Sequence, residues 1–322
     1  MTGLVLLGSA LCGLGFGYAA QRGSICVVAG IEAWLATGSP RLLVALLRCS
    51  LWVVAVATPL VWLDRDAHLA PLYAPGLLAL GGGLAFGVGA AINGGCSFGT
   101  LIRLGAGDLS FAGTLLGMAA GFALQSRLGP AGPAPAGPSP LEAPTALAVP
   151  VLALALLFVT REAVRLRAEP VRRGRWSPER AVAVMGVSGG LLYALQGSWA
   201  WTVALQRSVD AMATAQPLAR PLVLIFACSV LGAAWGAARR RRMQPRLALR
   251  RWPLRIAGGL VMGLGAAYVP GGNDALVLHG APGLSLHVLI ASPALVAGAA
   301  GALAIGRGWR RIAAPPPPVQ AD

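Results

Sequence analysis

Two of the five cysteines in this 322-residue chain follow short runs of glycine and polar residues. Cys26 comes after QRGS at positions 21–24, and Cys96 comes after NGG at positions 93–95. A thiol is a weak hydrogen-bond donor with a polarisable sulfur, which suits a soft sulfur anion better than a hard oxyanion. Neither cysteine has a histidine nearby in the sequence, and acidic residues are scarce, so the pattern does not indicate a catalytic nucleophile. We expect these thiols to bind a ligand, and we expect no catalytic residue.

The other cysteines lie within apolar runs, where a cysteine usually packs as a small hydrophobic residue. They are Cys12, Cys49 and Cys228. No two cysteines form a CxxC pair, and their spacing matches neither a zinc site nor a disulfide framework. We therefore expect no metal and no cofactor.

The composition predicts a polytopic membrane protein. Hydrophobic residues make up 56% of the chain and charged residues 11%, whereas about a quarter of a soluble domain is charged. The mean hydropathy is +0.70. The first apolar run, Leu4–Ala20, has neither a positively charged start nor a cleavage-site pattern. We interpret it as a retained helix and not as a signal peptide.

The predicted fold is all-α, with about nine transmembrane helices and four short intramembrane helices. The apolar runs approach or reach the roughly 17–25 residues that cross a bilayer; they are Leu4–Ala20, Leu42–Leu63, Gly76–Ala91, Leu109–Leu124, Ala146–Thr160, Ala181–Leu195, Leu218–Ala238, Leu254–Val269 and Leu284–Ile305. The shorter pieces each begin at a Gly or Ser break and cannot span alone; they are Ser24–Leu35, Cys96–Leu104, Ser198–Met212 and Asn273–His279.

The basic residues predict the topology. The formal net charge is +15, and all 26 basic residues are arginines. They cluster in Arg161–Arg180, in Arg239–Trp252 and near the C-terminus, between or after apolar segments. This fits the positive-inside rule better than nucleic-acid binding, which we do not expect. These segments should be cytoplasmic, which places the N-terminus outside a bacterial inner membrane.

The apolar pattern and the linkers divide the chain. We expect a first membrane repeat (1–125), a Pro/Ala/Gly-rich linker (126–145), an extra transmembrane helix (146–160), a basic cytoplasmic loop (161–180), a second membrane repeat (181–306) and a cytoplasmic tail (307–322). The linker contains GPAGPAPAGPSP. Its prolines and glycines predict an exposed, partly extended connection.

The two halves resemble each other. GGLAFGVGAA at 82–91 aligns with GGLVMGLGAA at 258–267, and GGCS at 94–97 falls opposite GGND at 271–274. Upstream, YAAQRGS at 18–24 falls opposite YALQGS at 193–198. The odd span at 146–160 between the halves would reverse the second, which predicts inverted repeats. In such folds, broken segments at matching positions indicate the substrate site.

Non-helical backbone inside a membrane is tolerated only where it is buried in protein or lines a cavity. Glycine pairs at 94–95 and 271–272 allow sharp turns there. The helices that follow would direct their first N–H groups at an anion. The expected binding residues are Gln21, Arg22, Cys26, Gly94, Gly95, Cys96, Ser97, Arg103, Gln196, Ser198, Gly271, Gly272 and Asn273.

YAAQRGSIC at 18–26 resembles the QRGRFC-type motif of the YeeE/YedE sulfur-transport family. NGGCSFGTLIRLGAGDLS at 93–110 resembles that family's GGC-x-x-GT-x-x-R-x-G-x-G motif. The resemblance covers nearly the whole chain. It implies nine spans, short intramembrane helices, inverted repeats and passage of thiosulfate along a line of thiols.

Carried over by position, Cys26 and Cys96 match two of the family's thiols, and Arg103 matches its arginine. The second half departs, because Asn273 stands where the family has a third cysteine, and Ala106 where it often has glutamate. An asparagine can still donate hydrogen bonds to an anion, whereas Asp274 would oppose one unless it is paired or protonated.

Three functions remain open from the residues. The first is a transporter or channel for a small sulfur-containing anion, with the bilayer and a cytoplasmic sulfur-carrier protein as further partners. The second is a membrane sulfurtransferase that carries a persulfide on Cys96. The third is a non-transporting membrane subunit that binds a partner through its basic loops. Arg103 could likewise attract substrate or pair with Asp108.

Overall fold

A computed structural model describes residues 3–64, 67–128, 133–170, 174–218 and 220–313. The long helices are α1 (Gly3–Gly23), α3 (Arg41–Leu63), α4 (Leu77–Asn93), α6 (Ala112–Leu128), α7 (Ala148–Ala168), α8 (Pro178–Gln196), α10 (Arg220–Arg239), α11 (Trp252–Tyr268) and α13 (Val288–Ala313). The short helices are α2 (Val27–Thr37), α5 (Ser97–Gly105), α9 (Trp201–Ala213) and α12 (Asn273–Ala275). Strands β1 (Leu72–Tyr73) and β2 (Pro135–Gly137) pair antiparallel. The predicted all-α membrane fold is confirmed.

By length and composition alone, the described helices include fewer membrane spans than the nine predicted. Across the described residues, seven helical segments are long and apolar enough to cross a membrane, or eight if the bent pair Leu249–Tyr268 and Asn273–Gly280 counts as one span. The predicted span that is absent from this set is Ala146–Thr160. It corresponds to α7, whose second half carries Arg161, Glu162 and Arg165. These charges lower its apolar character although the helix is 21 residues long.

Short helices form at all four predicted breaks. The helices α2, α5 and α9 begin within about three residues of their predicted starts. The fourth short helix differs from the others: α12 is a single turn that continues as a π-helix over Leu276–Gly280. A π-turn inside a helix is rare and often marks a functional site.

Helix packing follows the sequence repeat. If α1, α3, α4 and α6 correspond to α8, α10, α11 and α13, then exchanging the halves converts the α1–α10 contact into α8–α3. The same exchange converts α4–α13 into α11–α6, and it leaves α1–α8 and α4–α11 unchanged. These six pairs are the main interhelical contacts among the described residues. The packing is therefore what an internal repeat predicts.

Glycine contacts between α4 and α11 follow the same equivalence. A side chain on Gly82 would lie 2.8 Å from the carbonyl oxygen of Gly265, and one on Gly89 would lie 2.7 Å from that of Gly258. The alignment makes Gly82 equivalent to Gly258 and Gly89 to Gly265, so the two contacts exchange. Small residues let membrane helices approach this closely.

The arginine-rich and arginine-poor connections lie at opposite ends of the bundle. Arg41, at the start of α3, forms an ion pair with Glu179 of α8. The helix α3 is 23 residues long, which is about 34 Å at 1.5 Å per residue. Beyond its far end, Leu72 of β1 pairs with Gly137 of β2. We call these the basic end and the strand end.

The Pro-rich linker is not wholly exposed, contrary to the prediction. Ser139 and Leu141 are buried, and the Ser139 hydroxyl donates to the carbonyl oxygen of Gly283. The indole of Trp62 donates to the carbonyl of Leu141 at 2.9 Å. Within the linker, residues 129–132 lie outside the described residues, as does the end of the predicted tail, 314–322.

Candidate functional site

The structure brings the two predicted thiols together. Cys26 and Cys96 each occupy the residue before a short helix, α2 and α5 respectively, in extended backbone conformations. Their Sγ atoms lie 3.7 Å apart, and both side chains are buried. The main-chain N–H of Val27 donates to Cys96 Sγ at 3.2 Å. The start of one short helix therefore contacts the thiol of the other.

The Gly94–Gly95 turn ends α4 and aims Cys96 inward. Gly94 has a φ of 69°, a conformation that glycine adopts at little cost. The side-chain amide of Asn93 donates to the carbonyl of Gly95 at 2.7 Å, and its oxygen accepts from the Thr114 hydroxyl at 2.7 Å. The break in the helix is therefore a fixed turn with satisfied polar groups.

Asn273 reaches the same helix start from the second half of the chain. Its Oδ1 accepts from the Ser97 N–H at 3.1 Å and from the Ser97 hydroxyl at 2.6 Å. Because a main-chain N–H can only donate, this contact fixes which end of the amide is oxygen. The Asn273 Nδ2 atom is buried and has no hydrogen-bond partner among the residues that the structure describes. It is a donor available to a ligand next to Cys96.

Asp274 is held by the start of α9. Its carboxylate accepts from the Thr202 hydroxyl at 2.8 Å and from the Thr202 N–H at 3.3 Å. Its own N–H donates to Ser97 Oγ at 3.3 Å. The carboxylate is 1% exposed. Sequence reasoning named Asp274 as a charge needing a partner but could not identify Thr202, which is distant in sequence.

Two cavities approach these residues from opposite ends. The basic-end cavity, about 300 Å³, includes Cys26 and Gly99 in its wall together with Gln21, Ser24, Gly94, Arg103, Arg240 and Arg242. The strand-end cavity, about 510 Å³, is lined by Ala275, Ser198, Arg207, His279 and Tyr73 among others. The buried residues Cys96, Ser97, Asn273 and Asp274 line neither cavity, but their chain neighbours line both: Gly94 and Gly99 the basic-end cavity, and Ala275 the strand-end cavity. We call these four residues the buried layer.

Arginines from both basic loops gather where α1 ends. Arg240 donates to the carbonyl of Gln21 at 2.8 Å and to the Ser24 hydroxyl at 2.9 Å. Burial, with the nearby charges of Arg242, Arg175 and Arg22, lowers the pKa of the Arg240 guanidinium. The predicted site residue Arg22 is itself buried, donates to the Tyr18 hydroxyl and lies 5.3 Å from the Trp176 ring. The lining of the basic-end cavity includes three arginines and one carboxylate, Glu32, so its charge is net positive.

Arg103 does not pair with Asp108. The Asp108 carboxylate accepts from the N–H and the hydroxyl of Ser110, while the Arg103 guanidinium lies 5.6 Å from the Phe111 ring centre. Sequence reasoning missed Arg255 of α11, which is buried and stacks 3.9 Å from the same ring. A side chain on Gly94 would meet Arg255 Nη1 at 3.1 Å. The sequence signal that could have identified Arg255 is its charge inside the apolar run Leu254–Val269.

The second-half polar break is only partly at the site. Ser198 lines the strand-end cavity. Gln196 instead donates to the Ser9 hydroxyl at 2.9 Å, which ties α8 to α1 away from the thiols. Gly271, with a φ of 97°, and Gly272 form the turn before Asn273. The equivalence of Gln196 with Gln21 therefore does not extend to a shared cavity.

Comparison with known proteins identifies a family for this chain. A search of curated proteins finds no match. The family model described as sulphur transport matches residues 22–301, a segment that contains every broken helix described above. Because this match covers most of the chain, the protein belongs to the YeeE/YedE family of sulphur transport proteins.

Proposed function

We propose that the chain is a permease for a small sulfur-containing anion such as thiosulfate, which crosses at the buried layer between the two cavities. One observation carries the proposal. Two thiols from separate broken helices meet at 3.7 Å, and one of them lines a cavity while the other belongs to the closed layer. A transported anion would have to pass this pair.

The chemistry of the layer suits an anion with a soft and a hard end. Thiol S–H groups are weak, polarisable donors that match a terminal sulfur. The unpartnered Nδ2 of Asn273 is an amide donor that matches an oxygen atom. Thiosulfate has both kinds of atom. In this proposal Asn273 replaces a third thiol and contacts the oxygen end, so transport proceeds with two cysteines.

The arginines favour entry of anions into the basic-end cavity and set the proposed orientation. We take the basic end as cytoplasmic and the strand end as outside the inner membrane of a bacterium, following the positive-inside rule. The proposed inverted repeats then relate the two cavities across the layer. The basic end is also where a cytoplasmic sulfur-carrier protein would receive the anion.

Uptake of sulfur-35-labelled thiosulfate tests the function in cells that lack other sulfur importers. The chain should support uptake, Cys96→Ala should abolish it, and Asn273→Cys should retain it. Cys49→Ala is the matched control, because that cysteine is buried within α3, outside the cavities and the buried layer. A chain that expresses normally but carries no labelled sulfur would contradict the proposal.

Experiments in the same cells distinguish the permease from the two other candidate functions. A persulfide on Cys96 during turnover would favour a sulfurtransferase. Loss of function on neutralising Arg240 and Arg242, with both thiols dispensable, would favour a subunit that only binds a partner.

A further inference from the structure

We propose that Asp274 binds a proton that crosses with the anion, so that the chain is an anion–proton symporter. The inference rests on the proposed function and adds a second transported species to it. Its basis is the position of a buried carboxylate within the layer that separates the cavities, one residue from the unpartnered amide of Asn273.

The carboxylate is held by neutral donors. Both its oxygens accept from Thr202, and within the described parts of the chain it forms no ion pair. A side chain on Gly272 would lie 2.9 Å from Asp274 Oδ1 and 2.9 Å from the Phe86 ring, so an apolar ring of α4 lies close to the same point as the carboxylate. A charge in such surroundings is costly and is a functional candidate.

An anion in the layer changes the balance. When the anion binds at Asn273, it adds like charge one residue away from the carboxylate, which has no ion-pair partner in the described ranges. A hydronium ion from the aqueous phase gives its proton to the carboxylate: one O–H bond of hydronium breaks and leaves water, one carboxyl O–H bond forms, and the repulsion is removed. Binding of the anion and of the proton therefore favour each other, as linkage requires.

Other titratable groups face Asp274 or line the route to it. From the chain before α5 comes the Cys96 thiol, from α9 come Arg207 and Asp210 farther along the strand-end cavity, and from the segment after α12 come His279 and His287. Burial lowers the pKa of His287 to about 4, so it stays neutral at physiological pH. His279 Nε2 accepts from the Trp199 N–H at 3.3 Å. Asp274 is the carboxylate of the layer itself.

The strand-end cavity gives the proton a way in. Ala275 follows Asp274 and lines that cavity, as does Val203, which follows Thr202. On the other side, the N–H of Asp274 donates to the hydroxyl oxygen of Ser97, the first residue of α5. Two residues farther along α5, Gly99 lines the basic-end cavity. Asp274 thus has one neighbour on each side of the layer.

A structural role makes a different prediction. If Asp274 served only to cap α9, a neutral acceptor would largely replace it, since an amide oxygen still accepts from the Thr202 N–H. Asp274→Asn keeps the shape and one of the two acceptor atoms and removes the titration. Asp274→Glu keeps a titratable carboxyl. Proton movement therefore separates the two roles where stability alone would not.

The test uses the purified full chain in liposomes that enclose a pH-sensitive dye. An inward gradient of thiosulfate is applied with equal pH on both sides. The wild type should acidify the lumen as labelled thiosulfate enters. Asp274→Asn should reduce the acidification per labelled thiosulfate that enters at least about tenfold, and Asp274→Glu should restore it.

Two results would overturn the inference while leaving the permease intact. They are thiosulfate entry by the wild type without acidification, and acidification by Asp274→Asn at the wild-type rate. If the wild type carries no thiosulfate, the proposed function fails for that anion and the coupling fails with it. If Asp274→Asn does not fold, the dye signals of the wild type and Asp274→Glu still decide.

Discussion

Replacing Gly99 by alanine should impair transport more than it lowers stability. An added methyl group would lie 2.8 Å from Cys26 Sγ and 4.0 Å from Cys96 Sγ. Ordinary van der Waals contact begins at 3.4 Å, so the Cys26 sulfur must move by about 0.6 Å. Gly99 lies within α5, where alanine favours the helix by about 1 kcal/mol. That gain offsets part of the roughly 1–3 kcal/mol that overpacking costs.

The effect on transport should be larger. A hydrogen bond to a charged group contributes about 1.5–3 kcal/mol, and about 1.4 kcal/mol is a factor of ten. A displaced thiol that loses this bond to the anion should slow uptake of labelled thiosulfate at least about tenfold. Gly301→Ala is the control, because nothing lies within 4 Å of its added methyl group. Wild-type uptake by Gly99→Ala, with normal expression, would refute the idea that the thiol pair contacts the anion.

Two further substitutions test the basic end and the helix packing. Arg240→Gln removes the bonds to Gln21 and Ser24 and one positive charge, so the KM for thiosulfate should rise about threefold or more, with a smaller rise at high salt. Arg250→Gln, at an exposed position of the same loop, should leave the KM unchanged. Gly17→Ala would force its methyl group into the carbonyl of Ser229, so the melting temperature in detergent should fall by several degrees. Gly8→Ala is the control and should leave it unchanged, because nothing lies within 4 Å of its added methyl group. Equal KM values for the two arginine variants, or equal melting for the two glycine variants, would contradict these expectations.

Much of the fold could be predicted because local signals carry it. The first glycine of each pair, Gly94 and Gly271, has a positive φ, and the pairs interrupt apolar runs whose length already indicates membrane helices. The helix start after Cys96 follows from the same pair. The extent of α7 was harder to predict, because its helix continues past the apolar run through Arg161 and Glu162.

The candidate site was harder to predict from the sequence, because its contacts join residues that are far apart in the chain. The bonds from Ser97 to Asn273 and from Thr202 to Asp274 depend on how the two halves pack. Gln196 was assigned to the site by its equivalence with Gln21, yet Ser9 is its partner. A repeat predicts equivalent backbone positions, whereas side-chain partners depend on the residues that each half presents.

The central claim is that this chain alone carries a sulfur-containing anion past the thiol pair. The most direct measurement is the initial rate at which labelled thiosulfate enters liposomes that contain only the purified chain. We expect saturable entry that unlabelled thiosulfate inhibits, that Cys96→Ala abolishes and that Cys49→Ala preserves. Entry no faster than into empty liposomes, or equal entry with the wild type and Cys96→Ala, would contradict it.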